Sequence, residues 1–272
     1  MDIGLIIVGD EILSGKRADK HLPKVIELLA ARGLPLSWVR IVGDDPARIT
    51  ADLRDAFEGA RERGDIVFSC GGIGATPDDH TRQCAATALG VDLALHPQAA
   101  EFIRERMREM AAEKGVPFEP ERHDNQHRFN MAMFPAGADI VPNPYNRIAG
   151  FSVRAGEGAV FFVPGFPVMA WPMIEWVLDH ELAHLHRSEG QQERSLIVFG
   201  GLEAALTPLM QEVETRFPGI KVFSLPSVDH PEWGLHIELG VKGSGPAVLE
   251  AYAHLRAGLD QHEVSFGPEL VR

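Results

Sequence analysis

Cysteine is scarce in this sequence, and long apolar segments are missing from it. Two cysteines, Cys70 and Cys84, occur among 272 residues, which excludes a disulfide framework or a site built from several thiolates. No apolar run approaches the roughly 20 residues that a membrane-spanning helix needs. The N-terminal residues lack a basic segment and a small-residue cleavage site, so residues 3–8 predict a strand rather than a signal peptide. We therefore expect a cytoplasmic protein without a membrane partner.

Basic residues are also in short supply. The chain has 26 Lys and Arg against 39 Asp and Glu, which gives a net charge of −13. Such a chain repels the phosphate backbone of nucleic acids, so we expect no nucleic-acid partner. A single phosphate group can still bind, because backbone N–H groups or a metal ion act locally against the distant field. The 45% hydrophobic content is that of an ordinary globular protein.

Apolar runs alternate with amphipathic segments in the first third of the chain. The runs at residues 3–8, 36–42 and 65–70 predict strands, and the segments 19–32, 46–63 and 78–89 have helical spacing. Strands that are apolar throughout and separated by helices are typical of a parallel sheet covered on both faces. The sequence therefore predicts an α/β fold with three layers around a mostly parallel sheet.

A change of composition marks a second domain. The polar run at residues 187–193 predicts a linker, so we place one domain at residues 1–188 and another at residues 189–272. After the linker, strands and helices follow in a different order. We expect this second domain to be a small α+β unit.

Glycines and acids follow each of the first three predicted strands. In an open α/β sheet, ligands bind outside the carboxyl ends of the strands. Glycine lets the backbone approach a ligand and direct its N–H groups toward it. Carboxylates at the same edge can hold a divalent cation that bridges to phosphate oxygens. The residues concerned are Gly9, Asp10, Glu11, Gly43, Asp44, Gly71, Gly72, Asp78 and Asp79.

The segment 70–79 has a second interpretation as the start of a helix. Thr76 would be the N-cap, Pro77 the first helical residue and Asp79 the acid of a capping box. This alternative does not account for three glycines within four residues. The segment has neither the lysine of a P-loop nor the third glycine of a dinucleotide fingerprint, so its spacing predicts an anion cradle and nothing finer.

Residues 71–81, Gly-Gly-Ile-Gly-Ala-Thr-Pro-Asp-Asp-His-Thr, resemble the Gly-Gly-Leu-Gly-Pro-Thr-x-Asp-Asp-x-Thr signature of the competence/damage-inducible protein A (CinA) family. That family carries the molybdopterin-binding MoaB/MogA fold. Residues 9–15 and 42–45 are similar to its first two motifs, and Asn143 and residues 163–167 fall where its later motifs lie. The segment 195–262 is similar to the KH-like domain that follows in such proteins.

The resemblance implies binding of molybdopterin or of a nucleotide-like pyrophosphate, and self-association as a dimer or trimer. Some relatives hydrolyse ADP-ribose-like compounds with a divalent metal such as Mg, Mn or Co. We expect the family's amidohydrolase domain, which deamidates nicotinamide mononucleotide, to be missing here. The implied catalytic residues are Asp79 and Asp78; the phosphate-binding residues are Gly71, Gly72, Gly74, Thr76, Ser14, Asn143 and Gly165; and the metal ligands are Asp10, Glu11, Asp44 and Asp79.

Two segments depart from the family pattern. Residues 146–150 read Asn-Arg-Ile-Ala-Gly in place of Gly-Thr-Ala-Pro-Gly, and residues 164–169 lack the usual final glutamate. Arg147 is either a new phosphate partner or a solvated loop residue. Three hypotheses stay open: a binding protein for a phosphorylated pterin or nucleotide, a metal-dependent nucleotide pyrophosphatase, and an interaction protein with a decayed pocket.

Histidine patterns suggest two competing metal sites. Residues 180–184, His-Glu-Leu-Ala-His, match the zinc motif in which two histidines share a helix face and the glutamate is a general base. The alternative is that histidines near a helix C-terminus are favoured by its dipole. His123, Asp124 and His127 also have metal-like spacing, and the alternative there is a polar surface loop.

Overall fold

The computed structural model describes residues 1–187, 192–201, 203–262 and 264–271, without the side chains of residues 123 and 124. It divides the chain into two compact units, Met1–His186 and Arg187–Arg272. The domain boundary predicted at residues 188 and 189 lies outside the described residues and stays a prediction. Within the described ranges, no helix combines the length and apolar character needed to cross a membrane.

The first unit is an α/β structure whose elements alternate along the chain. Its elements are β1 Ile3–Val8, α1 Asp10–Leu13, α2 His21–Ala30, β2 Trp38–Val42, α3 Pro46–Arg63, β3 Ile66–Cys70, α4 Thr81–Leu89, β4 Leu93–Leu95, α5 Pro97–Lys114, α6 His123–Gln126, β5 Met133–Pro135, β6 Asp139–Val141, β7 Gly150–Ala155, β8 Gly158–Val163 and α7 Pro167–Trp176. A π-helical turn, Val177–Glu181, and a 3₁₀ turn, Ala183–Leu185, follow α7.

The main sheet has the strand order β2-β1-β3-β8-β7-β6. Strands β2, β1, β3 and β8 run parallel, whereas β7 and β6 are antiparallel to their neighbours. The predicted α/β fold with a mostly parallel sheet is therefore confirmed. Strands β4 and β5 form a separate antiparallel pair.

The sheet separates two apolar cores, which explains the uninterrupted apolar runs. Every residue of β1, β3 and β8 is buried, because helices cover both faces of the sheet. The neighbours Phe161 and Phe162 point to opposite faces, so each joins a different core. This arrangement gives the three predicted layers and brings the carboxyl ends of β1, β2, β3 and β8 to one edge.

The second unit is α+β, as predicted. Its elements are β9 Gln192–Phe199, α8 Glu203–Arg216, β10 Lys221–His230, β11 Gly234–Gly243, α9 Ala247–Leu259 and β12 Ser265–Val271. The sheet has the order β10-β11-β9-β12, and its strand pairs are antiparallel. Both helices contribute to one apolar core with β9, β10 and β11. Its similarity to a KH-like domain stays a prediction.

Candidate functional site

The segment between β3 and α4 is held to the sheet at both ends. At the start, the N–H of Gly71 donates to the carbonyl of Val163 over 3.0 Å. At the end, the N–H of Thr81 donates to the carbonyl of Gly72 over 2.9 Å, and the Thr81 hydroxyl donates to the carbonyl of Gly71 over 3.0 Å. The N–H of Gly71, which the sequence suggested as a phosphate donor, is thus used within the sheet.

At each of the three glycines of this segment, a larger side chain would clash with a different neighbour. A Cβ on Gly71 would lie 2.3 Å from the carbonyl oxygen of Val8, and one on Gly72 would lie 2.1 Å from the Thr81 hydroxyl. Gly72 also has a φ of 68°, in the left-handed region that favours glycine. A Cβ on Gly74 would lie 2.5 Å from the carboxylate of Asp79. The three glycines therefore allow a compact turn to form against β1, α4 and Asp79.

The predicted start of the third helix at residue 78 is wrong. Helix α4 begins at Thr81 rather than Asp78, and Thr76 lies outside it. Instead, one carboxylate oxygen of Asp79 accepts hydrogen bonds from both the N–H and the hydroxyl of Thr76. The acid and the threonine therefore close a turn on themselves, and residues 72–76 stay available as the wall of a cavity.

A cavity of about 370 Å³ lies against this segment, at the carboxyl ends of β3 and β8. Part of the lining is the turn itself, and another part consists of the residues that follow β8 and those that precede β7. Both segments that depart from the family pattern line the cavity. The lining residues are Gly72, Ile73, Gly74, Ala75, Thr76, Asp79, Met131, Asn146, Ile148, Ala149, Pro164, Gly165, Phe166 and Met169.

The cavity is lined by apolar side chains and by the backbone of the turn. Ile148, Phe166 and Met169 supply apolar side chains, and Phe166 is 56% exposed although it is aromatic. In the turn, the described hydrogen bonds include none from the N–H groups of residues 72–75. This combination suits a ligand with a flat ring and an anionic group.

Asn143 does not line the cavity but forms hydrogen bonds with residues that do. Its side-chain amide donates to the Oδ1 of Asn146 over 2.8 Å and to the carbonyl of Ile148 over 2.9 Å. It is buried, and it is not among the lining residues, whereas Asn146 is. The sequence placed the ligand contact at Asn143; the structure places Asn146 at the cavity and Asn143 as the residue that orients it.

Sequence reasoning missed Arg82, which lies buried beside the turn. Its side chain donates to the carbonyl of Ile73, so the guanidinium holds the turn from the α4 side. Burial lowers the pKa of Arg82 to about 10, against the opposing attraction of Asp79, and the side chain stays charged at neutral pH. The available signal was an arginine within the otherwise uncharged helix Thr81–Leu89.

The acids that follow β1 and β2 form a pair at a different place. The N–H of Asp10 donates to Asp44 over 3.0 Å, and the N–H of Asp44 donates to Asp10 over 3.1 Å. Burial raises the pKa of Asp44, and the charges of Asp10, Glu11 and Asp78 add to that rise, while the N–H of Asp10 opposes it. None of these four acids is among the cavity-lining residues.

The described residues do not fit a metal ion. Among them, no group of three or more His, Cys, Asp or Glu side chains is arranged to hold one. Asp79 is turned toward Thr76, whereas Asp10 and Asp44 are turned toward each other's backbone. The predicted ligands Asp10, Glu11, Asp44 and Asp79 therefore do not form such a group among the described residues.

Ser14 and Arg147 also lie away from the cavity lining. Ser14 is exposed, and its N–H donates to the carbonyl of Asp10. Arg147 forms ion pairs with Glu105 and Glu109 of α5, at 3.1 Å and 3.2 Å. The guanidinium is thus committed to helix α5 rather than to the turn.

The zinc interpretation of residues 180–184 is not supported in the described part of the chain. His180 lies in the π-helical turn, where its ring stacks on Trp176 and its Nδ1 lies 2.9 Å from the Trp176 carbonyl. Glu181 pairs with Arg154, and His184 follows in a separate 3₁₀ turn. The motif needs two histidines on one continuous helix face, and the chain does not provide it. At the other histidine pattern, the side chains of His123 and Asp124 lie outside the described residues.

Comparison with known proteins agrees with this architecture. The family model described as a probable molybdopterin binding domain matches residues 4–184. A CinA-like protein of Anaeromyxobacter dehalogenans is 36% identical over 186 residues, which cover 68% of this chain and 42% of that relative. A protein of Pyrobaculum calidifontis is 30% identical over 94% of this chain and 92% of its own length.

A solved structure has the same fold. The CinA protein of Thermoplasma acidophilum, whose function is described as unknown, matches 66% of this chain and 98% of its own with a TM-score of 0.54 at 24% identity. The matched family model covers the first unit almost completely, including the turn and both altered segments. The chain therefore belongs to the family of probable molybdopterin-binding domains and is similar to CinA proteins.

Proposed function

We propose that the chain binds a phosphorylated pterin of the molybdopterin type in the cavity beside residues 72–76. The observation that carries the proposal is the combination of two kinds of lining residue. Residues 72–75 line the cavity, and the described hydrogen bonds include none from their N–H groups, which are suited to phosphate oxygens. Ile148, Phe166 and Met169 also line the cavity, and a flat pterin ring can lie against their side chains.

The charges near the cavity support an anionic ligand with a polar ring. Arg82 is buried on the α4 side of the turn and places a positive charge close to the N–H groups. Asp79 lines the same cavity, and only one of its carboxylate oxygens accepts the bonds from Thr76. Its other oxygen can accept a hydrogen bond from the amino edge of a pterin. Phosphate and ring would thus have different partners.

The alternatives have weaker support. A nucleotide offers the same combination of flat ring and phosphate, so it is a competitor for the cavity rather than a different mechanism. Metal-dependent pyrophosphate hydrolysis needs an ion, and the described residues do not provide a group of ligands for it. A decayed pocket does not fit well with a cavity of about 370 Å³ whose three glycines each meet a steric demand.

Calorimetric titration of the chain with anaerobically prepared molybdopterin, and separately with AMP, tests the proposal. Phe166→Ala removes the exposed ring from the cavity, whereas Val168→Ala is a matched control, because Val168 is similarly exposed but does not line the cavity. We expect saturable binding of molybdopterin that weakens about tenfold in the Phe166 variant, equivalent to about 1.4 kcal/mol of ring contact. Absence of binding, or equal weakening in both variants, would overturn the proposal.

A further inference from the structure

A second cavity lies on the other side of the turn in the first unit. Its volume is about 540 Å³, and Thr76 and Asp79 line both this cavity and the one described above. Its remaining polar lining includes His80, Arg82 and Gln83. We call it the α4 cavity, because these three residues belong to the first turn of α4 or immediately precede it.

Arg82 is the unusual residue of the α4 cavity. Its side chain is only 2% exposed, and its Nε is buried without a hydrogen-bond partner in the described part of the chain. The bond that Arg82 does make goes to the carbonyl of Ile73. A buried guanidinium with an unused N–H is costly to keep in a fold unless an acceptor reaches it.

The α4 cavity also contains apolar residues and several groups that can donate hydrogen bonds. His80 and His127 contribute imidazole rings, and Gln83 and Asn130 contribute amides. Among the described lining residues, Asp79 is the one carboxylate, and Thr76 already donates to it twice. The buried cation and these donors can bind an oxyanion against the net charge of −13 of the chain.

We propose that the α4 cavity is a second anion site, which binds a phosphate group through Arg82 at its base and the amides and imidazoles around it. The planar guanidinium can donate two parallel hydrogen bonds to a phosphate, and Nε is one of the donors suited to that geometry. This site shares Thr76 and Asp79 with the pterin cavity, but its donors do not line that cavity, so either cavity can bind its ligand if the other does not. Burial lowers the pKa of Arg82, and a bound anion would raise it again.

The site can be tested with inorganic phosphate as the probe in calorimetry of the full chain. Gln83→Glu adds a negative charge to the lining of the α4 cavity and leaves Arg82 unsubstituted. Thr87→Glu is the matched control, because Thr87 is an exposed residue one turn further along α4 and does not line the cavity. We expect phosphate affinity to fall at least tenfold in the first variant and to stay within about twofold of wild type in the second.

The location of the bound phosphate is read from histidine NMR resonances. Phosphate in the α4 cavity shifts the ring signals of His80 and His127 and leaves that of His21, which contacts the Gly165 carbonyl beside the pterin cavity, unchanged. Arg82→Lys keeps the charge but removes Nε, and it should weaken binding if the variant folds. Failure of the wild type to bind phosphate, equal weakening in both glutamate variants, or a shift confined to His21 would each overturn the proposal. Glycerol 3-phosphate in a parallel titration shows whether a phosphate ester or the free ion binds more tightly.

Discussion

Replacing Gly72 with alanine tests how the turn beside the cavity is held. Two costs are expected. The first arises because Gly72 has a φ of 68°, a conformation that costs an L-residue about 1 kcal/mol. The second arises because the new Cβ would lie 2.1 Å from the Thr81 hydroxyl, so the buried threonine must move and lose its bond to the Gly71 carbonyl. Losing a buried hydrogen bond costs about 1–3 kcal/mol.

Gly90 provides a matched control for the first cost alone. It ends α4 with a φ of 71°, and a Cβ there would meet no atom within 4 Å. We expect Gly90→Ala to destabilise the first unit by about 1 kcal/mol and Gly72→Ala by about 2–4 kcal/mol. Urea denaturation monitored by tryptophan fluorescence measures both values.

A double variant separates two contributions to the free energy of unfolding, the clash of the new Cβ with Thr81 and the unfavourable φ of alanine at position 72. Thr81→Ala loses the hydroxyl bond but also removes the atom that clashes with the new Cβ. The combined Gly72→Ala and Thr81→Ala variant should therefore be less destabilised than the sum of the single variants by about 1 kcal/mol or more. If Gly72→Ala costs no more than Gly90→Ala, or if Gly72→Ala and Thr81→Ala are additive, the steric contact with Thr81 does not hold the turn.

Three further predictions concern charged side chains and metal ions. Asp44→Asn should stabilise the fold by up to about 1 kcal/mol at pH 7, because the raised pKa of Asp44 in the folded state means that its ionised form opposes folding. Denaturation at several pH values should show that this gain vanishes below the ordinary pKa of 3.8. Asp179→Asn should lower the free energy of unfolding by about 1 kcal/mol at pH 7, because the ion pair with Arg32 holds the pKa of Asp179 below 3.8. In the same denaturation series, this loss should disappear as the pH falls through the lowered pKa. Millimolar magnesium should shift the unfolding temperature no more than sodium chloride of equal ionic strength, because the described residues do not form a metal site; a larger shift would contradict that conclusion.

The sequence predicted secondary structure correctly where the local apolar pattern follows the burial of the residues. Strands β1, β3 and β8 are buried at every residue, so their apolar runs were visible directly. Helix α3 was predicted with its observed bounds, because Pro46 begins it and Gly64 ends it in a left-handed conformation. Strand β12 was missed, since Gly267 and Pro268 interrupt its pattern at the edge of a sheet.

The start of α4 could not be predicted from local pattern alone. The Thr76 and Asp79 spacing fits a capping box, and the same two side chains also close a turn outside a helix. The choice depends on Thr81 reaching back to Gly71 and Gly72, which is a contact that spacing does not encode. Tertiary contacts therefore decide between a helix that begins near residue 77 and the turn that is observed.

The sequence indicated segments that line the candidate cavity, but the composition of the cavity was only partly predicted. The glycine turn and the altered segments at residues 146–150 and 164–169 do meet at one cavity. Acid at three strand ends suggested a metal cluster, yet the Asp10 and Asp44 carboxylates accept bonds from each other's backbone N–H, whereas Asp79 accepts its bonds from Thr76. Arg82 was missed because a charged residue in a helix is normally solvated, and only packing shows that this one is buried.

Amide NMR can show whether the N–H groups of residues 72–75 receive the phosphate of a pterin ligand. In a titration of the nitrogen-15-labelled chain with molybdopterin, we predict the largest shifts at the amides of residues 72–75. The amide of Gly71 should change little, because it already donates to Val163. Saturable binding that leaves the amides of residues 72–75 unshifted would rule out this mode of phosphate binding.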